Sequence, residues 1–266
     1  MQKVKFILDQ DLHIHTQLSP CSSNPEQNPQ TILRYGEEYG LRDIALTDHF
    51  WDEAVPGGVG WQGYAYISKW LPLPQGERTR LHLGCEADMN RANVIGLTRE
   101  TAEKLEFITV SINHLHFQMG KDERHGAGWY AEQFKKRWNV LLDSGLPYRK
   151  MGLAHPTYRG VAGNMPDPRD HLDVLEAIPD GVWLDMFART EKLGMGVELN
   201  AKNNEYSPDD FERVLRVYRL AVEAGCHFYG ATDSHHPAHL APRHENCVKL
   251  IDALGLTEDQ KFLPFD

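Results

Sequence analysis

Two short pairs in the chain have the spacing of a metal clamp: His13/His15 in DLHIHT and Asp233/His235 in ATDSH. Alternate residues of a β-strand point to the same side, so both members of an i, i+2 pair at a strand end face one site. Imidazole combined with carboxylate favours borderline divalent ions such as Zn, Mn or Fe over Ca or Mg. Other side chains able to bind a metal fall at comparable places: His49 closes LTDH, Glu86 lies in GCEAD, His114 follows Asn113, His155 precedes Pro156, and Glu198 lies in VELN. Singly these are ordinary. An HxH pair also suits a solvated strand, Thr-Asp and Asp-Ser also cap and turn, a lone His114 or His155 also suits a hydrogen-bonded core, and a lone Glu198 also suits a salt bridge. Their joint placement makes a metal centre the expectation. Of the 14 histidines, His82, His116, His125, His171, His227, His236, His239 and His244 lie off this pattern and are expected at the surface or behind the site.

The elements that must position these residues are short apolar runs alternating with amphipathic segments. Candidate strands run from Phe6 to His13, Asp43 to His49, Arg80 to Ala87, Phe107 to His114, Met151 to His155, Gly196 to Asn200 and Phe228 to Asp233. Stretches such as DIALT, FITVSI and MGVEL suit parallel strands buried on both faces. Between them, Asn28-Pro29 opens a helix ending near Gly40, Asp167-Pro168-Arg169-Asp170 opens another, and Ser207-Pro208-Asp209-Asp210 opens a third ending at Gly225. Seven such alternations without a linker predict one α/β domain over residues 1–266, a TIM-like (βα)7 barrel. In a parallel barrel all strand C-termini meet at one rim, so residues distant in sequence converge on one pocket. Two insertions follow predicted strands, a Gly-, Pro- and Trp-rich one at 50–79 and a polar, Gly-rich one at 117–128. In the first, Trp51, Trp61, Tyr64 and Tyr66 suit either an aromatic lid over a substrate or a packed flap.

Composition narrows the function. With 41% hydrophobic and 25% charged residues the chain is globular rather than disordered. A net charge of −10 argues against tracking a nucleic-acid backbone. The four cysteines, Cys21, Cys85, Cys226 and Cys247, form no CxxC pair. The opening MQKVKFILDQD has too short an apolar run for a signal peptide, and no stretch has the length of a membrane span, so a reducing cytoplasm is expected.

The ordered set DLHIHT, LTDH, GCEAD, the His114 and His155 strand ends, VELN and ATDSH resembles the polymerase and histidinol phosphatase (PHP) superfamily over nearly the whole chain. The resemblance implies a distorted seven-stranded barrel with two or three divalent ions. It implies that His13, His15, Glu86 and Asp233 hold one metal and that Glu86 bridges to a second held by His114 and His155. A third ion would use His49, His235 and position 21, which is Cys21 here where relatives have His or an acid. Cys21 is then either a thiolate ligand or a small loop residue beside a two-metal site. Asp48 and Asn200 would orient imidazoles or bind substrate, and Glu198 stands between that role and a structural one.

The activity implied is hydrolysis of a phosphomonoester by a metal-activated bridging hydroxide, with His49, Asp233 and His235 as catalytic groups. Bound cations would draw an anionic metabolite, resembling histidinol phosphate, to an acidic protein. Arg159, in HPTYRG, and Arg243 are candidate phosphate clamps or ordinary surface arginines. An amidohydrolase barrel also opens with HxH, but it uses Lys or Glu on a middle strand and a lone Asp on the last. This chain has His114 and a DxH pair there. A nuclease role fits the family but not the charge, and a non-catalytic metal-binding module would be expected to lose ligands, whereas only position 21 is irregular.

Overall fold

The computed structural model describes residues 4–115, 123–167, 169–200 and 206–265. In chain order its strands and α-helices are β1 (Gln10–Ile14), α1 (Pro29–Tyr39), β2 (Asp43–Leu46), β3 (His49–Phe50), α2 (Tyr64–Ile67), β4 (Arg80–Asp88), α3 (Arg99–Lys104), β5 (Phe107–Ser111), α4 (Ala127–Leu142), β6 (Met151–Leu153), α5 (Asp170–Glu176), α6 (Asp180–Lys192), β7 (Gly196–Asn200), α7 (Pro208–Glu223), β8 (Phe228–Ala231) and α8 (Pro237–Leu254). Local chemistry sets the helix ends. The Asn28 side chain accepts from the Thr31 N–H at 3.1 Å, Pro29 presets the first turn of α1, and Gly40 at φ 67° ends it. Ser207 accepts from the Asp210 N–H at 3.3 Å to start α7, with Pro208 and two acids in its first turn.

The strands pair in parallel in the order β1-β2-β4-β5-β6-β7-β8. The ends then meet: the Asp233 N–H donates to the His13 carbonyl at 2.7 Å and the His15 N–H donates to the Ser234 carbonyl at 3.0 Å. Seven parallel strands therefore form a nearly closed barrel with alternating helices, as the apolar runs predict. β2 and β3 are one strand interrupted at Thr47-Asp48. Both pair with β4 in one continuous register, Leu46 opposite Leu83 and His49 opposite Glu86.

Two local departures serve the rim. On β1, Asp11 opposes Ile44 and Ile14 opposes Leu46, so three steps on one strand match two on its neighbour. This is a β-bulge, which re-aims side chains. It lets Leu12 join the interior cluster of Ala45, Phe107, Tyr229, Ala231 and Phe262 while His13 turns to the site directly above. The second departure is at the strand ends: β5, β6 and β8 stop at Ser111, Leu153 and Ala231, short of the expected His114, His155 and Asp233. Those three lie in the turns that follow. His155 at φ 25° and Asp233 at φ 47° take backbone conformations that non-glycine residues rarely adopt, a strain often found at functional sites.

The expected insertion at 50–79 folds back onto the barrel: Phe50 bridges to Gln62, and α2 follows. His116 and residues 117–122 of the second insertion lie outside the described residues. Among those described, no helix is long and apolar enough to cross a membrane.

Candidate metal centre

Glu86 on β4 is the centre of the rim. Its side chain is buried, and five imidazoles surround it. Oε2 lies 2.7 Å from His49 Nδ1, 3.4 Å from His15 Nε2 and 3.7 Å from His13 Nε2, and Oε1 lies 3.1 Å from His155 Nε2 and 3.8 Å from His114 Nε2. Oε1 also accepts from the Ser111 hydroxyl. Oε2 and His49 Nδ1, despite their closeness, are not aligned for a hydrogen bond, and each is buried without a hydrogen-bond partner. Buried polar atoms are normally satisfied, so an orphaned carboxylate oxygen among ring nitrogens fits a cation.

The outer nitrogens of the rings fix the tautomers. Ser19 donates its one hydroxyl hydrogen to Asp48 Oδ1 at 2.6 Å, so it must accept from His15 Nδ1–H at 2.9 Å. His13 Nδ1 lies 2.8 Å from Glu198 Oε2, and His114 Nδ1 lies 3.0 Å from Asp88 Oδ2. In each case the ring is held by an oxygen behind it, leaving Nε2 toward Glu86, the arrangement that metal-binding imidazoles favour. His13 Nε2 and His15 Nε2 are 3.0 Å apart, two nitrogens facing one small space.

Among the described residues, three groups of side chains are close enough to share an ion: His13, Glu86 and His155; His13, His15 and Asp233; and His15, His49 and His235. Within each, one ligand atom per residue lies within 4.8 Å of the others. The groups overlap through His13 and His15, so the sites they define are adjacent. Asp233 Oδ1 is 3.4 Å from both His15 Nε2 and His235 Nδ1. His15 and His235 stack, with centroids 3.9 Å apart.

Charge in the cluster follows from these neighbours. Burial would push the Glu86 carboxyl up, but His49, His13 and His114 together hold it well below the usual range. Burial would lower His13, but Glu198 and Glu86 hold it well above its usual value. His49 is also held well above, burial being outweighed by Glu86 and Cys21. His15 goes the other way, lowered by burial and by the neighbouring His235 and His49. Cys21 sits on an exposed loop beside His49 and His235; burial of its thiol opposes ionisation, yet hydrogen bonds with those two rings bring it down to about 7.

The other expected residues fall at different distances. Asp48 is buried and accepts from Thr16 and Ser19, and Glu198 is buried behind His13. Asn200 is buried at the end of β7, and its N–H donates to the Tyr218 hydroxyl at 3.2 Å. Arg243, on α8, donates to the carbonyls of Thr232 and Asp233 and so grips the turn that carries Asp233. Arg159 is exposed at the start of a short 3-10 turn past His155. The histidines set aside have partners elsewhere: His82 pairs with Asp43 and Glu106 at the far end of the barrel, His171 with Tyr206 and His244 with Tyr35.

The fold is similar to that of a histidinol phosphate phosphatase. That enzyme, from Lactococcus lactis subsp. lactis Il1403 and crystallised in complex with zinc, L-histidinol and phosphate, matches with a TM-score of 0.55 and 13% sequence identity, over 96% of this chain and 98% of that chain. No protein-family model matches the chain, and no curated protein matches it in sequence.

Ser19, Ser111, Asp88, Tyr229 and Trp70 carry no expectation for the centre from the sequence, and Trp61 carries only that of an aromatic lid or a packed flap. Asp88 had a signal, since it lies two residues past Glu86 on the same strand and shares its face. The serines and Trp70 had none, because serine is common in turns and tryptophan in packing.

Proposed function

We propose that this protein is a metal-dependent phosphomonoesterase acting on a small phosphorylated metabolite of the histidinol phosphate kind. The observation that carries the reading is the set of overlapping donor groups around Glu86, which suits two or three adjacent Zn, Mn or Fe ions. The shared fold with a phosphatase crystallised with zinc and phosphate supports it. His13, His15, Glu86 and Asp233 would hold one ion, Glu86, His114 and His155 a second, and His49, His235 and Cys21 a third. Such ions supply Lewis acidity to phosphoryl oxygens and a nucleophilic hydroxide at neutral pH.

The protein's own groups do the rest. Glu198, Asp88 and the Ser19–Asp48 pair hold three imidazoles by the outer nitrogen, so the inner nitrogen of each faces the centre and would take an ion without the ring turning. Glu86 stays anionic and balances the cations. Where only two ions bind, His235, the most open imidazole of the rim cluster at 22% side-chain exposure, is left free to give a proton to the leaving oxygen, with His49 and Asp233 beside it. Arg243 keeps the Asp233 turn in place, and Arg159 is the exposed cation available to a phosphate. Asn200 completes the buried wall.

The test is metal analysis of the purified protein followed by hydrolysis of a generic aryl phosphate and a phosphometabolite panel that includes histidinol phosphate, with and without chelator. Bound metal and chelator-sensitive phosphate release are expected. Bound metal with no activity on any phosphate overturns the reading.

A further inference from the structure

We propose that the 50–79 insertion is a brace for the metal centre, acting through the indoles of Trp61 and Trp70 as positioning groups. The inference rests on the metal-centre reading above and adds an element to it. Trp61 lies flat on the His49 ring, with centroids 4.4 Å apart and planes 9° apart. Its Nε1–H donates to Asp88 Oδ2 at 2.9 Å, the oxygen that also takes His114 Nδ1. One indole thus fixes His49 by its face and His114 through a carboxylate. Trp70 Nε1–H donates to Thr16 Oγ1 at 2.9 Å, Thr16 Oγ1 donates to Asp48 Oδ2 at 2.7 Å, and Asp48 takes the Ser19 hydroxyl that holds His15. The two relays run through different carboxylates, Asp88 and Asp48, and between them they reach His49, His114 and His15.

The insertion is itself anchored, as a brace must be. The Trp51 ring is buried against Gly96, where an added Cβ would come within 2.3 Å of it. The Asp52 N–H donates to the Gly96 carbonyl at 2.8 Å, the Asp52 carboxylate takes the Thr98 hydroxyl at 2.5 Å, and the Trp51 N–H donates to the Gln62 carbonyl at 3.1 Å, next to Trp61. The other aromatic residues face elsewhere: Trp51 Nε1–H donates to the Val55 carbonyl within the insertion, and Lys69 sits over the Tyr66 ring. A lid that opens over the substrate needs loose anchors, and these are tight.

Removing one outer partner of a metal-bound His typically costs about 10–100-fold in metal affinity. Metal-free protein titrated with Zn2+ against a chromophoric competing chelator measures this without any assay of activity. Trp61→Phe, which keeps a ring on His49 but loses the N–H, and Trp70→Phe act on the imidazoles through intervening groups, so each is expected to weaken Zn2+ binding by about 10-fold, the lower end of that range. Tyr66→Phe, a control in the same insertion whose ring lies under Lys69 and away from the centre, is expected to bind as wild type. Zn2+ is also expected to change the tryptophan emission of wild type and of Trp70→Phe, but not that of Trp61→Phe. Thr16→Val repeats the Trp70 arm without altering the insertion, should a tryptophan variant fail to fold. Wild-type affinity in both Trp61→Phe and Trp70→Phe, or an equal loss in Tyr66→Phe, overturns the brace. A wild type that takes up no Zn2+, Mn2+ or Fe2+ overturns the metal centre and the brace together.

Discussion

Glu86 shows how one side chain organises a site: a buried carboxylate with ring nitrogens of five histidines around it is stable only as a shared counter-charge. Replacing Glu86 with Gln leaves the shape but removes the charge. Bound metal is expected to fall by at least one ion per chain, and phosphate release to fall beyond the roughly 100-fold typical of outer partners. Metal analysis and steady-state kinetics of the same preparation check both. Glu198→Gln acts one step further out, through His13 Nδ1, and its expected loss of metal affinity is about 10–100-fold. Cys21 separates two centres of different size. Cys21→Ser is expected to lower the bound metal from three ions to two, and unchanged stoichiometry would show a two-metal site with a bystander thiol. The histidines and Glu86 were legible because imidazole and carboxylate at strand ends have few other common uses in such numbers. Ser19 and Ser111 were not, since a serine's role depends on which atom comes within about 3 Å of it.

At the scale of elements, the strands deliver these atoms because glycines let neighbours come close. Gly152 on β6 faces the Tyr229 ring, and an added Cβ would lie 2.4 Å from its hydroxyl. That hydroxyl bonds with Thr109 at 2.9 Å and donates to Glu198 Oε2 at 3.3 Å, the oxygen that holds His13. A Gly152→Ala substitution must displace Tyr229, so it is expected to cost about 1–3 kcal/mol of stability. It is also expected to weaken metal binding, a coupling that denaturant melts and chelator competition measure together. The bulge between Asp11 and Ile14 and the left-handed turns at His155 and Asp233 act in the same way, aiming side chains that a regular strand would point elsewhere. None of these was legible. The spacing of His13 and His15 suits a regular strand, and the extra residue appears only when β1 is laid beside β2.

The whole molecule couples its two ends differently to solution conditions. At the rim, ions that bind only the folded chain stabilise it by about 2.7 kcal/mol per site at 100 times Kd, so chelator treatment is expected to lower the melting temperature by several degrees. At the other end, burial disfavours a charged His82, but hydrogen bonds to Asp43 and Glu106 prevail and raise its pKa. The folded state therefore holds that proton more tightly than the unfolded state does. Its stabilising effect is complete below the unfolded histidine pKa, about 6.5, and is lost as pH rises through the higher folded value. His82→Gln is expected to destabilise the metal-free protein more at pH 5.5 than at pH 8.5. Equal losses at both pH values would show that the ring acts only by packing on Phe265, on which it stacks at 3.7 Å.

The class of barrel, the number of its main strands and the residue types gathered at its rim were determined by the sequence alone. Those properties are local: apolar runs of strand length, caps such as Asn28 and Ser207, and side chains able to bind a metal just past each run all repeat within a few turns of chain. What only the tertiary structure decided is which atoms meet. That Glu86 lies between His49 and His155, that Glu198 backs His13, and that two indoles of the 50–79 insertion reach Asp88 and Thr16 depend on strand register and barrel closure. Those are set by packing between segments remote in sequence, and no spacing along the chain encodes a distance across the barrel.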